Sequence, residues 1–173
     1  QLAVCPALYW DSTEDADALY LKNQRQWVGR YLRENLGGNL DIYRNAAFLT
    51  LDTDDCYGNV HPRDAQISES VLIVCAEIQR QLAEGQLELQ EDECIAMTKQ
   101  AFFRIITNCR NKWKNAWSKE YCEMDEDRLV ETILKYMTDW MMVRSKEERI
   151  TVLPAVGRLA GQYPSDYKGD GEK

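Results

Sequence analysis

Residues Cys109 to Cys122 read CRNKWKNAWSKEYC and set Arg110, Lys112, Lys114 and Lys119 around Trp113 and Trp117, with Glu120 as the single acid. In a helix the two tryptophans fall one turn apart on one side, and Lys112 and Lys119 share another. Two uses suit that pattern. An exposed aromatic–basic patch would anchor a partner, since Trp and Arg are frequent hot-spot residues. A core stripe with lysines snorkelling around it would only hold the fold together. The core reading is favoured, and the stretch remains the one partner-binding candidate in the chain.

Other residues could in principle do chemistry. His61, the single histidine, lies near Asp55, Asp64, Ser68 and Ser70 in sequence. A nucleophile–base pair needs convergent geometry, which sequence proximity does not supply, so a His before Pro62 reads as a turn residue. The segment LDTDDCYGN offers Asp52 and Asp54 at the first and third positions of a calcium loop. Its sixth position holds Tyr57 where Gly is needed, which favours a solvated turn. Arg25, Arg30, Arg104 and Glu131 would have to converge in a helical pocket to run acid–base chemistry, and nothing in their spacing demands it. No phosphate loop, nucleophile elbow or dinucleotide fingerprint occurs. Neither catalytic residues nor cofactors are assigned.

The six cysteines, Cys5, Cys56, Cys75, Cys94, Cys109 and Cys122, are even in number and dispersed, without a Cys-x-x-Cys pair. With one histidine available, zinc is a poor fit, and three disulfides in an oxidising compartment are expected. A start at Gln1 rather than Met agrees with a removed signal peptide, so a secreted, extracellular location is expected. The formal charge of −8 disfavours a phosphate backbone as the main partner. No apolar run reaches the roughly 18 residues of a membrane span.

These residues need elements to position them. Apolar spacing predicts a helix from Thr13 to Leu36, capped by Asp11 or Ser12 and stopped at Gly37-Gly38. A short helix, with a strand as the alternative, follows from Asn39. The stripe of Ile67, Val71, Val74, Cys75, Ile78 and Leu82 predicts a helix ending at Gly85. Another runs through EDECIAMTKQAFFRIITNCRNKW, antiparallel to it. A further helix starts at Asp125 or Asp127, and SKEE at Ser145 to Glu148 reads as a capping box opening a last one, which Pro154 kinks or breaks. Strand signals are sparse. The expected class is all-α: a single domain over residues 1–163, a disulfide-cross-linked bundle of five to seven helices, with a disordered tail at 164–173.

Cys109, a spacer and then Tyr121-Cys122 resemble a Cys…Tyr-Cys motif of the aphid bicycle proteins, a family of secreted salivary effectors. The chain departs from that family where a second motif belongs, since Val74 precedes Cys75 and Tyr57 follows Cys56. The resemblance implies delivery into a host and action by binding host components. The expected function is therefore a secreted, non-enzymatic effector or binding protein engaging a host or extracellular protein. The alternatives are a small-ligand carrier with an apolar cavity between helices and a small helical enzyme using Arg and Glu side chains. The oligomeric state is left open.

Overall fold

A computed structural model describes residue Cys5 and residues 7–10, 15–52 and 60–161. The chain forms two compact units, Gln1–Val60 and His61–Lys173.

In the first unit, strand β1 (Ala7–Tyr9) precedes helices α1 (Ala16–Asn23) and α2 (Arg25–Leu36), then β2 (Gly38–Ile42) and β3 (Ala46–Leu51). Asp15 caps α1 by accepting from the Asp17 and Ala18 amides. The single long helix expected here is two, because Gln24 leaves helical geometry with ψ 16°. Gly37 ends α2 at φ 64°, a left-handed conformation that glycine adopts without a Cβ clash. The next residue turns directly into a strand. A Cβ on Gly38 would meet the Leu49 side chain and the Thr50 carbonyl oxygen at 2.9 Å, so close pairing with β3 requires glycine there. The sheet is antiparallel with order β1-β3-β2. Asn39, expected to cap a helix, instead accepts from Arg33 Nε at 3.1 Å and donates to Asp52. The core is small: Trp10, Ala18, Leu21, Leu32 and Ala47, flanked by half-buried aliphatics. Trp10 Nε1 donates to the Arg44 carbonyl at 2.7 Å, which pins β1 to the turn between β2 and β3.

The second unit runs α3 (Gln66–Ala83), β4 (Ile95–Thr98), α4 (Lys99–Lys112), a short α5 (Lys119–Glu123), α6 (Glu126–Asp139), β5 (Val143–Lys146) and β6 (Arg149–Val152). A 3-10 turn at Pro154–Gly157 follows, with Pro154 in its first turn, where a missing N–H costs nothing. Helices α3, α4 and α6 pack on one another. The antiparallel sheet has order β4-β6-β5 and turns Ile95, Met97, Val143, Ile150 and Val152 inward. Helix, strand, three further helices (α5 a single short turn) and a terminal β-hairpin paired back on the first strand match the connectivity of a winged helix. In such a unit α6 occupies the position of the recognition helix, and the β5–β6 hairpin is the wing.

The all-α expectation is therefore wrong: each unit is mixed α/β with a three-stranded sheet. Three local misreadings account for it. Residues Ile95 to Thr98 alternate buried and exposed over only four positions, too few to stand out from the helix that Thr98 caps. The SKEE sequence is a two-residue hairpin turn, in which Lys146 pairs with Arg149 and Glu147 takes φ 52°. The Asn39 segment is a strand. The disulfide cross-links fail as well, since Cys5, Cys75, Cys94, Cys109 and Cys122 form none. Cys56 and the expected tail at 164–173 lie outside the described residues.

Candidate functional site

The structure divides the Cys109 to Cys122 stretch between core and surface. Arg110 and Trp117 are buried. Arg110 donates from Nη1 to the Met124 carbonyl at 2.9 Å and from Nη2 to Glu126 Oε1 at 2.6 Å, tying the end of α4 to the start of α6. Trp117 packs edge-on to Tyr121, and its buried Nε1 has no hydrogen-bond partner among the described residues. Trp113 is half-buried, with Lys112 Nζ 5.4 Å from its ring centroid. Lys114 and Lys119 are exposed, Lys119 beside Glu123 at 3.8 Å. Cys122 Sγ lies 3.1 Å from the Lys114 carbonyl, a weak thiol hydrogen bond that closes this loop. Only Lys112, Lys114 and Lys119, with part of Trp113, offer anything to a partner.

His61 gathers more than its sequence neighbourhood promised. Its Nδ1 is 3.1 Å from Ser68 Oγ and 3.0 Å from the Tyr136 hydroxyl, and its ring packs on Tyr136 and Trp140. Ser68 Oγ also accepts from the Arg63 amide at 3.0 Å. Burial disfavours the imidazolium and pulls its pKa down to about 4, so the ring is neutral at pH 7. This is not a hydrolytic pair. Ser68 is fully buried where no substrate reaches, and Asp64 points to solvent without engaging His61. The cluster fastens the first turn of α3 to the last turn of α6. Asp55 lies outside the described residues, and Ser70 accepts from Gln66.

The remaining candidates are divided between the two units. Arg25 and Arg30 stand on α2 of the first unit, whereas Arg104 and Glu131 belong to α4 and α6 of the second. Asp52 receives the Asn39 amide, and Asp54 falls outside the described residues. Among the described residues no group of His, Cys, Asp or Glu is placed to hold a metal ion. Nor, among the described residues, is any helix long and apolar enough to cross a membrane.

Sequence reasoning missed the outward face of α6. Its exposed residues are Glu126, Asp127, Arg128, Glu131, Lys135, Thr138 and Asp139, four acids against two bases. Lys135 is itself paired with Asp139 at 2.8 Å. The wing tip is Glu147-Glu148, flanked by exposed Arg144, Lys146 and Arg149. A duplex-binding winged helix needs positive charge at both places to meet phosphates. The signal was present as the hydrophilic residues between Leu129, Ile133 and Met137, but it carries meaning only once α6 has a position in the fold.

Residues 1–162 match the model of a protein family of unknown function, DUF2398. The chain belongs to that family. This corrects the likeness to aphid salivary effectors, which rested on one Cys…Tyr-Cys spacing that the free thiols Cys109 and Cys122 do not support. No curated protein matches the chain. With no described cysteine in a disulfide, that ground for an oxidising compartment is also removed.

Proposed function

We propose that the protein is a non-enzymatic binding protein whose winged-helix unit engages a protein partner through the outer face of α6 and the wing. One observation carries the reading: the recognition-helix position presents Asp127 and Glu131 to solvent outside any ion pair among the described residues, beside Glu126 and Asp139, which are paired with Arg110 and Lys135. A duplex would meet those carboxylates with its own negative phosphates, whereas a protein surface rich in Lys and Arg would be attracted. The wing carries both signs, its tip acids Glu147 and Glu148 standing between exposed Arg144, Lys146 and Arg149. The reading without catalysis is supported by the His61 cluster, where the serine is sealed and the imidazole Nδ1 is held between Ser68 and Tyr136 inside the fold.

Two measurements on the whole chain test it. Fluorescence anisotropy with a labelled mixed-sequence DNA duplex should give only weak binding, with Kd no tighter than about 10⁻⁴ M at physiological salt. A photo-crosslinking amino acid at Thr138 should capture a protein from extracts of the source cells, and reversal of Asp127 and Glu131 to Lys should abolish capture. Tight, steeply salt-dependent DNA binding that is lost on neutralising Arg144 and Lys146 would overturn the proposal.

A further inference from the structure

Strand β2 is an edge of the first sheet, since β3 lies in the middle. Its register with β3 fixes which backbone groups are left over. The Tyr43 amide donates to the Ala46 carbonyl at 2.8 Å, and the Asp52 amide to the Gly37 carbonyl at 2.9 Å. Bonded and unbonded pairs alternate in an antiparallel ladder, so Asn39 and Asp41 also bond to β3, while Leu40 and Ile42 turn their N–H and C=O outward. Among the described residues nothing takes up those groups. A groove of about 510 Å³ opens along them, lined by Leu40, Asp41, Ile42 and Tyr43 and by Arg25 and Gln26 at the start of α2. Sheet edges are ordinarily blunted by exposed charge, Pro or a bulge. Strand β5, an edge of the second sheet, carries Arg144 and Lys146. By contrast β2 reads GNLDI, and its one charged residue, Asp41, accepts from Thr50 Oγ1 at 3.1 Å.

We propose that the β2 edge docks an extended, acidic segment of a partner protein, which adds a strand to this sheet through Leu40 and Ile42. The open ladder selects a strand, because an extended backbone presents a donor and an acceptor at the same two-residue interval. Charge selects the segment's composition. Leu40 and Ile42 pack toward the helices, so an added residue opposite Ile42 points to that same side, where Arg25 lines the groove. No hydrogen bond or ion pair engages the Arg25 guanidinium among the described residues. Arg44 stands in the turn after β2, and Lys22 Nζ reaches its carbonyl at 3.4 Å. This end of the edge therefore sets three cations against Asp41, in a chain whose net charge is −8. An acid opposite Ile42 meets Arg25, and the neutral residue beside it faces Asp41. The five residues of β2 offer roughly 17 Å of edge at 3.4 Å each, enough for a partner segment of similar length.

Fluorescence anisotropy on the full chain tests this with the labelled peptide Thr-Val-Thr-Glu-Thr-Val, whose Val and Glu share one face of a strand. It should bind with a Kd of about 10⁻⁴ M, the strength of a short segment that must be ordered as it docks. Exchanging the peptide Glu for Lys, or Arg25→Glu in the protein, should each weaken binding at least roughly tenfold, and combining the two should restore it. Of the two peptides N-methylated at alternate residues, one should fail to bind and the other should bind, because a single edge of the added strand meets β2. Amide exchange followed by NMR should slow at least roughly tenfold at Leu40 and Ile42 on binding, and stay unchanged at Asp41, whose N–H is already bonded to β3. A peptide that does not bind at about 1 mM, tenfold above the expected constant, would overturn the proposal. So would equal binding of both methylated forms, or binding that leaves Leu40 and Ile42 unprotected. Protection of those amides that grows with protein concentration in the absence of peptide would assign the edge to a second copy and overturn it too.

Discussion

The two units invest their apolar side chains in opposite ways. Every large side chain with under 2% exposure among the described residues lies in the second unit, from Val71 to Val152. Every exposed large apolar side chain except Leu89 lies in the first. The second unit resembles a finished domain, with three helices and a sheet closing on Phe102, Ile106, Ile133 and Met137. In the first, the interior is Trp10, two alanines and two leucines, and aromatic surface is left outside. Exposed aromatic area of that kind is what interfaces are made from. Tryptophan alone shows the contrast: Trp117 is 5% exposed and Trp27 58%.

The largest expected effect therefore comes from the second unit. Trp117→Ala should lower stability by about 3–5 kcal/mol in urea unfolding, the usual cost of emptying a buried aromatic site. Trp27→Ala should change it by less than about 0.5 kcal/mol, as surface substitutions do. Equal losses from both would erase the distinction. Next in size is Arg110→Ala, expected to cost about 1–3 kcal/mol by stranding the Met124 carbonyl and Glu126 at the α4–α6 junction. Arg110→Lys should recover only part, since an ammonium cannot span both acceptors in the guanidinium's planar fork.

Acid should act on the second unit through His61. The unfolded chain takes up its proton near 6.5, while the folded one resists until about 4. The unfolded state thus binds more protons between those values. Stability should be flat above pH 6.5 and fall as pH drops toward 4, with a slope of at most about 1.4 kcal/mol per unit, reduced by partial exposure of the ring. Urea midpoints for His61→Gln should lack that slope; a mutant retaining it would place the proton elsewhere. The smallest effects concern turns. Glu147 sits at φ 52°, where a side chain is strained, so Glu147→Gly should stabilise the wing by about 0.5–1 kcal/mol. Gly37→Ala in the first unit should destabilise by a similar amount.

Much of the second unit was legible before its coordinates. The helix at Gln66–Ala83 follows from its apolar stripe, and that at Glu126–Asp139 from the stripe behind Asp125. What escaped was paired at long range: β4 finds its partner in β6, more than fifty residues on, and a four-residue strand has no local period strong enough to announce that. On α1 and α2 the failure was different. Leu21, Val28 and Leu32 share a helical repeat with Trp27 and Tyr31, yet the first three face the interior and the rings face out. Spacing alone cannot divide one apolar repeat between core and surface. The basic stretch was legible as a helix end but not as a site, because the role of Arg110 depends on a carbonyl fourteen residues away.

The buried thiols of α3 and α4 have a practical consequence. Burial pushes Cys75 and Cys109 up to about 12, leaving roughly one thiolate in 10⁵ at pH 7. Cys5 and Cys122 are partly exposed and should react with an alkylating reagent at once. Cys75 and Cys109 should react only when the helices part. Alkylation read by mass would therefore time the opening of the winged-helix core under native conditions, with no added label and no change to the sequence. The slow phase would report the lifetime of the packed state, and the fast phase would serve as its internal standard.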